Sequence, residues 1–378
     1  MRMSTEIMHV LDVPDQPDCV AWCSTPGFTD VLAVATYSLA KDQTSRQGSI
    51  LVYRLAERMH STTNGSSEPR FQLDCVGVTQ CDGGVFELSF DQLSSTQPVI
   101  SASLSNGDFV LYLMRNCDNR KISLNKLSSI QCFMDCMTVC HSVIPSSSKQ
   151  HTLSEVVVGS NKGCLKCVKF NGNTFESKIT LPNAHALPYT NDRTEVWSVA
   201  FSPQNSDVFY SGGDDCLLKA WDLRLCDRGE QNIGSASPVL VNKSHSGGVT
   251  EIVTRPGQEF ELWTGSYDEG VRVFDTRSMK APAQELKLGG GVWKLAWKSN
   301  QQHYNVLGAA AMYNGYYIIS GELGFRQAKD VDVCHFQVGE GQRLLYGFDW
   351  HPEDCNDAFF AVCTFYDKKL YLCREIMQ

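Results

Sequence analysis

Two adjacent carboxylates, Asp214 and Asp215, follow a pair of glycines. An aspartate can act as a general base and activate water, provided that it lies within hydrogen-bond reach of that water. Asp214 is the candidate for this chemistry, and Glu195 and His185 are further proton acceptors in the same region. The imidazole of His185 has the intrinsic pKa nearest neutrality. The alternative for Asp214 is a solvated carboxylate at the surface.

Four aromatic residues accompany these proton acceptors, namely Trp197, Tyr267, Trp293 and Tyr346. The faces of aromatic rings attract a cation that cannot donate hydrogen bonds, such as a quaternary ammonium. An acid surrounded by such rings would be a receptor for that cation. The alternative is that Trp197 and Trp293 fill the hydrophobic core, as aromatic residues in strands commonly do.

Glycines beside these residues can stabilise an oxyanion. Backbone amides approach a ligand closely where no Cβ intervenes, which makes Gly290 and Gly291, together with Gly289, candidate donors. Gly212 and Gly213 are the alternative pair.

Cysteine spacing does not predict a metal site. Cys164 and Cys167 are three positions apart in an alternating strand pattern, so they point to opposite faces and cannot close on one ion. The chain also lacks GxSxG, HExxH, GxxxxGK[ST] and GxGxxG, the signatures of serine hydrolases, zinc proteases, P-loops and dinucleotide folds. We therefore expect neither a metal nor a cofactor.

The elements that position these residues are repeated. Residues 211–224 (SGGDDCLLKAWDLR) align with residues 264–277 (TGSYDEGVRVFDTR) at an offset of 53, and residues 196–203 align with 249–256. This pattern is typical of a WD40 β-propeller blade. Five further copies bring the total to seven. The sequence therefore predicts an all-β fold, a seven-bladed WD40 β-propeller.

We expect one domain over residues 1–378, in which a strand at about 6–13 pairs with the last blade and closes the ring, since an open ring would expose a strand edge. The polar run 58–70 is expected to be a flexible loop. Loops of successive blades meet at one end of the central channel, where Ser160, Met312 and Tyr366 would join the aromatic residues. Asp215, Asp268 and His245 are interpreted as residues that hold the blade turns.

Composition excludes several classes of protein. The net charge is −9, and no cluster of Lys and Arg indicates a nucleic-acid surface. Sixteen cysteines in 378 residues are too few for a disulfide scaffold, and the chain begins without a secretory pattern. The longest apolar run, 31–40, is too short to span a bilayer. We expect a cytoplasmic protein with reduced thiols.

Several of these motifs together resemble one family of WD40-repeat proteins. The segments are SGGDDCLLKAWDLR, TGSYDEGVRVFDTRSMKAP, GGGVWKLAW, LLYGFDWHP and TFYDKKLYL, and the opening DCVAWCSTPGFTDVLAVATYSL is similar as well. The family is that of diphthine methyl ester hydrolase in diphthamide biosynthesis, called diphthine methyltransferase in older naming. The resemblance covers nearly the whole chain.

The resemblance implies a carboxylic-ester hydrolase that acts on elongation factor 2. Its substrate is a modified histidine with a trimethylammonium and a methyl-esterified carboxylate, and release of methanol gives diphthine for later amidation. No nucleic acid, membrane or cofactor is implied, and we expect a monomer. A non-enzymatic WD40 scaffold and a methyl-lysine reader are the alternatives, because a reader would share the aromatic cage without needing a base.

Overall fold

A computed structural model describes most of the chain. The described residues are 3–40, 45–61, 67–94, 96–117, 121–145, 153–226, 236–298, 306–321, 331–339, 343–353 and 358–377. Strands and turns account for all the regular structure in these ranges, and no helix in them is long and apolar enough to cross a membrane.

Seven four-stranded antiparallel sheets form the blades. Strands are numbered in chain order. Blade 1 consists of β2 (Pro17–Trp22), β3 (Val31–Thr36), β6 (Ser49–Ser61) and β7 (Ser67–Gln80), and blade 2 of β8 (Val85–Ser94), β9 (Gln97–Leu104), β10 (Asp108–Asn116) and β11 (Ile122–Gln131). Blade 3 consists of β12 (Thr138–Pro145), β13 (Leu153–Ser160), β14 (Leu165–Phe170) and β15 (Phe175–Leu181). A two-stranded ribbon, β4 (Ser38–Leu39) with β5 (Arg46–Gln47), extends from blade 1.

Blades 4 to 6 have the same strand order. Blade 4 consists of β16 (Val196–Phe201), β17 (Val208–Gly213), β18 (Leu218–Asp222) and β19 (Leu240–Asn242). Blade 5 consists of β20 (Val249–Thr254), β21 (Glu261–Ser266), β22 (Gly270–Asp275) and β23 (Gln284–Lys287). Blade 6 consists of β24 (Lys294–Trp297), β25 (Val306–Ala310), β26 (Tyr316–Ser320) and β27 (Asp332–Phe336). The predicted seven-bladed β-propeller is therefore confirmed.

Blade 7 joins the two ends of the chain. It contains β28 (Leu345–Trp350), β29 (Ala358–Thr364), β30 (Lys369–Met377) and, as its outermost strand, β1 (Met3–Asp12). Strand β1 runs antiparallel to β30, with Met3 opposite Met377 and Asp12 opposite Lys369. Because this pairing uses the outer edge of the last blade, it closes the ring non-covalently.

Most of the core lies between the blades. Each pair of neighbouring blades encloses one apolar cluster, such as Tyr210, Val249 and Phe274 between blades 4 and 5. The strand β3, VLAVAT, is buried along its entire length because its two faces contact different blades. This explains why the middle strands are continuously apolar instead of alternating.

The run 58–70 differs from the flexible loop that its polarity suggested. Residues up to Ser61 continue β6 and residues from Ser67 begin β7, with Arg58 opposite Arg70 in the ladder; residues 62–66 lie outside the described part of the chain. Backbone hydrogen bonds hold the two strands together, and polar residues are compatible with this pairing. Composition therefore could not distinguish this ribbon from a loop.

Candidate functional site

The inner strands of the blades place one residue each at the same mouth of the channel. In six blades this residue is the extra one of a β-bulge; Trp197, for example, is skipped where Val196 pairs with Gly213 and Ser198 with Gly212. A bulge bends the strand and redirects a side chain. The resulting mouth ring, in blade order, is Asp18, Phe86, Val139, Trp197, Thr250, Trp293 and Tyr346.

A cavity of about 240 Å³ lies inside this ring. All seven members of the mouth ring line it, together with Tyr37, Glu195 and Tyr267 from the surrounding loops. Pockets for drug-sized ligands usually measure roughly 300–1,000 Å³. This mouth cavity therefore suits a small chemical group, such as one modified side chain, better than a large ligand.

The four aromatic residues singled out in the sequence meet in this cavity. Trp293 contacts the rings of Trp197, Tyr267 and Tyr346, at centroid distances of 5.3, 5.8 and 4.5 Å. The series continues through Phe365, Tyr37 and Phe86, which follow Tyr346 at successive distances of 5.4, 5.0 and 4.7 Å. These seven residues form an aromatic wall, and all of them except Phe365 line the mouth cavity.

Below the aromatic wall, a lysine bridges two glutamates. The ammonium of Lys294 lies 3.0 Å from a carboxylate oxygen of Glu87 and 3.0 Å from one of Glu251. Burial acts to raise the pKa of Glu87, but the nearby Lys294 holds it below its usual range. Burial raises the pKa of Glu251 to about 7, partly opposed by Lys294. The floor of the cavity is therefore charged and net acidic.

Asp18 is the carboxylate of the mouth ring. It is 6% exposed and lies between Tyr346 and Phe86 in ring order. Burial raises the pKa of Asp18 well above its usual range, and the charge of Glu87 raises it further against the opposing charge of Lys294. Sequence reasoning missed this residue, which precedes the first clearly apolar stretch of blade 1.

Glu195 and Asp214, two predicted proton acceptors, are placed differently. Glu195 is partly exposed and lines the mouth cavity. Asp214 is exposed at the rim, where its carboxylate accepts a hydrogen bond of 3.3 Å from the indole N–H of Trp197. Its backbone N–H donates to the carbonyl of Glu195 at 2.9 Å. Glu195 therefore has direct access to a ligand, whereas Asp214 contacts the aromatic wall from outside.

His185, the third predicted proton acceptor, does not line the cavity. It is fully buried; Nδ1–H donates to Asp215 at 2.7 Å, and Nε2 accepts from the hydroxyl of Ser211 at 2.7 Å. Lys219 and Trp221 complete this network through Asp215 and Ser211. Both ring nitrogens are thus occupied within blade 4, so His185 has the structural role that we had assigned to Asp215.

The predicted oxyanion donors lie in the loop between β23 and β24 and are not among the residues that line the mouth cavity. A Cβ at Gly290 would lie 2.5 Å from the carbonyl of Ala311, and one at Gly291 would lie 2.8 Å from the sulfur of Met312. Such close packing explains why glycine occupies both positions. Gly212 and Gly213, the alternative pair, belong to β17 and pair with β16.

A second cavity, of about 720 Å³, lies farther along the inner strands. It shares Glu87 and Glu251 with the mouth cavity and is lined by Ser89, Asp91 and His141. Ser89 and Ser103 bind the two ring nitrogens of His141 at 3.0 and 2.9 Å. The cluster of Lys294 and its two glutamates therefore separates two sections of one channel.

Comparison with known proteins gives relatives over most of the chain. The protein "Diphthine methyltransferase" of Mus musculus is 28% identical over 354 residues, covering 91% of this chain and 69% of the mouse protein. The human protein of the same name is 25% identical over 373 residues, covering 91% and 74%. No protein-family model matches the chain.

A solved structure supports the fold. One chain of a crystal structure of the mitotic checkpoint complex matches with a TM-score of 0.65 and 17% identity, covering 99% of this chain and 93% of that one. At this identity the likeness concerns the fold alone. The resemblance seen in the sequence motifs is confirmed by the relatives named diphthine methyltransferase.

Proposed function

We propose that this chain, a β-propeller homologous over most of its length to the proteins named diphthine methyltransferase, is a carboxylic-ester hydrolase. Its substrate would be elongation factor 2 carrying methyl-esterified diphthine, from which it removes the methyl group as methanol. The product, diphthine, would then be available for amidation to diphthamide. The reaction would take place in the cytoplasm, without a cofactor.

The observation that carries this proposal is the aromatic wall above an acidic floor. Trp197, Trp293 and Tyr346 present rings to one small cavity, and ring faces attract a quaternary ammonium without requiring hydrogen bonds from it. The trimethylammonium of the modified histidine has this chemistry. Binding it would hold the methyl ester of the same side chain among the carboxylates of the cavity.

Hydrolysis needs a group that accepts a proton from water and donors that stabilise the oxyanion. Carboxylates can perform the first task, and Glu195 lines the cavity whereas Asp214 stands at its rim. The ammonium of Lys294, 24% exposed at the side chain, is a cationic group on the floor that can approach a developing negative charge. Gly290 and Gly291, in the loop before β24, remain the candidate donors of backbone N–H hydrogen bonds to the oxyanion.

The test is direct incubation of the protein with elongation factor 2 that carries the methyl-esterified residue. Mass spectrometry should show loss of one methylene unit, and methanol should accumulate in equal amount. A protein that binds the modified factor and returns it unchanged would instead be a methyl-lysine-type reader or a scaffold.

The same assay separates hydrolysis from methyl transfer. Hydrolysis consumes only water, so the rate should be unchanged when chelators are added and when every methyl donor is omitted. A requirement for a methyl donor, or abolition of activity by a chelator, would contradict the proposed reaction.

A further inference from the structure

Asp18 holds a special position in the mouth cavity. It is the bulge residue of β2, so its carboxylate faces the channel between Tyr346 and Phe86. Unlike Glu195, which is partly exposed, Asp18 is 6% exposed and lies in the mouth ring between Tyr346 and Phe86, two members of the aromatic wall. A ligand held by the wall would therefore meet this carboxylate inside the cavity.

The other buried carboxylates already have partners. Glu87 and Glu251 are both paired with Lys294. The Asp18 carboxylate, by contrast, accepts no hydrogen bond from any of the described residues. A buried carboxylate without a partner is costly as an anion, so it takes up a proton unless a cation arrives.

The groups that face Asp18 come from several blades. The charged ones are Glu87 from β8, Glu251 from β20, Lys294 from β24, Arg46 from β5 and Glu195 from the loop before β16. The neutral titratable ones are Cys19, Tyr37, Tyr267, Tyr346 and Cys363. Carboxylates exceed cations in this set, so the cavity attracts positive charge even while Asp18 is protonated.

We propose that Asp18 is the general base of the mouth cavity and that the quaternary ammonium of the ligand converts it to the carboxylate, so that cation binding releases a proton. The inference rests on the proposed function in taking the substrate's trimethylammonium as that cation. A permanent positive charge within a few ångströms favours the ionised form of an acid. The base is therefore generated only when substrate occupies the cavity.

The hydrolytic step then follows from ordinary proton transfer. The oxygen of a water molecule attacks the ester carbonyl carbon while Asp18 accepts the proton of that water. As the bond between the carbonyl carbon and the methoxy oxygen breaks, Asp18 returns the proton to the methoxy oxygen. Methanol leaves, and the new carboxylic acid loses its own proton to solvent.

Isothermal titration with tetramethylammonium chloride tests the coupling without elongation factor 2. At pH 7 the binding heat should differ between phosphate and Tris in proportion to their ionisation heats, corresponding to release of up to about one proton per cation bound. Asp18→Asn should remove most of the buffer dependence. Glu251→Gln is the matched comparison, because Glu251 is another buried carboxyl of the same cavity but is already paired with Lys294, so most of the proton release should remain in this variant.

Several outcomes would overturn the inference. Binding to the wild-type protein with equal heats in both buffers would do so, even if Asp18→Asn failed to fold. So would proton release that persists in Asp18→Asn and disappears in Glu251→Gln.

Catalysis provides the second test. In the ester assay, folded Asp18→Asn should lose roughly 10²- to 10⁴-fold in turnover, the usual contribution of a general base. Ester hydrolysis by a protein that binds tetramethylammonium without releasing a proton would contradict the role of Asp18 and leave the proposed function intact. Proton release by a protein that does not hydrolyse the ester would contradict the proposed function and the assignment of Asp18 as base, leaving only its pairing with the cation.

Discussion

Trp293 and Tyr346 stack with their ring centroids 4.5 Å apart and their planes inclined by 27°. Trp293 immediately precedes β24 and Tyr346 belongs to β28, so the contact joins blade 6 to blade 7 at the mouth of the channel. Both rings also line the cavity. The pair therefore acts as a preformed surface, and a cation that binds against it need not order two flexible side chains first.

Trp293→Ala should weaken binding of a quaternary ammonium by about 0.5–2 kcal/mol, the range for a cation held against an aromatic ring. Titration with tetramethylammonium would measure the change. Trp293→Phe keeps a ring at this position and should retain most of the affinity. Unchanged affinity in a folded Trp293→Ala variant would mean that Trp293 is not part of a cage.

Asp214→Asn should change turnover little, because Asp214 is exposed and an amide oxygen can still accept the hydrogen bond from Trp197. Steady-state kinetics with the esterified factor would measure kcat and KM separately. A small rise in KM is expected, since the substitution acts through the position of Trp197. A fall in kcat of roughly 10²–10⁴-fold in a correctly folded variant would identify Asp214 as the general base after all.

Part of the mouth ring could be predicted because blades 4 to 7 keep the repeat. Trp197, Thr250, Trp293 and Tyr346 stand at equivalent positions before an alternating strand, and the structure places all of them at the cavity. The fold followed from the same regularity. The local sequence pattern was sufficient to predict a residue of the mouth ring wherever a blade repeated the same strand and turn.

The first three blades contributed ring residues that the sequence did not reveal. Asp18, Phe86 and Val139 occupy the same bulge position, but none of them is a Trp or Tyr like the residues at this position in blades 4, 6 and 7. The pair of Lys294 and Glu87, 207 positions apart, depends on closure of the ring and has no local signal. The repeat pattern therefore could not predict the cluster of Lys294, Glu87 and Glu251 on the floor of the cavity.

The buried position of His185 could not be predicted for a different reason. In blade 5, His245 lies four positions before the first strand, whereas residues 186–195 separate His185 from β16. Ala186 and Arg193, near the two ends of that insertion, form an isolated antiparallel bridge. The insertion therefore folds back on itself, and His185 stays beside the strands of blade 4. Spacing alone made a structural histidine look like a free proton acceptor.

His185→Ala should therefore lower stability and spare the chemistry. The substitution removes the hydrogen bonds of His185 to the buried Asp215 and Ser211, which keep Lys219 and Trp221 as partners, so the loss should lie toward the lower end of the roughly 1–3 kcal/mol that an unpaired buried polar group costs. Urea unfolding would measure the loss, with the exposed His335→Ala as the surface control. Wild-type stability with abolished ester hydrolysis would return His185 to the active site.

His245→Gln should change how stability depends on pH. Arg272 donates to Nδ1 of His245 at 2.9 Å, and burial, followed by the positive charge of Arg272, lowers the pKa of His245 to about 4. Between pH 6.5 and 4 the unfolded chain binds a proton at this histidine that the native state excludes. The contribution of His245 is therefore complete above pH 6.5 and is lost as pH falls, by up to about 1.4 kcal/mol per pH unit.

Glutamine cannot titrate, so the free energy of unfolding of the variant should lack this part of the decrease below pH 6.5. Because His141, whose pKa burial also lowers to about 4, remains in both proteins, the difference between the two unfolding curves isolates residue 245. Urea unfolding from pH 4 to pH 8 should show the free energies of wild type and variant converging as pH falls from 6.5 toward 4. Curves that stayed parallel over that interval would mean that His245 is protonated in the native propeller, with Asp268 and not Arg272 as its effective electrostatic partner.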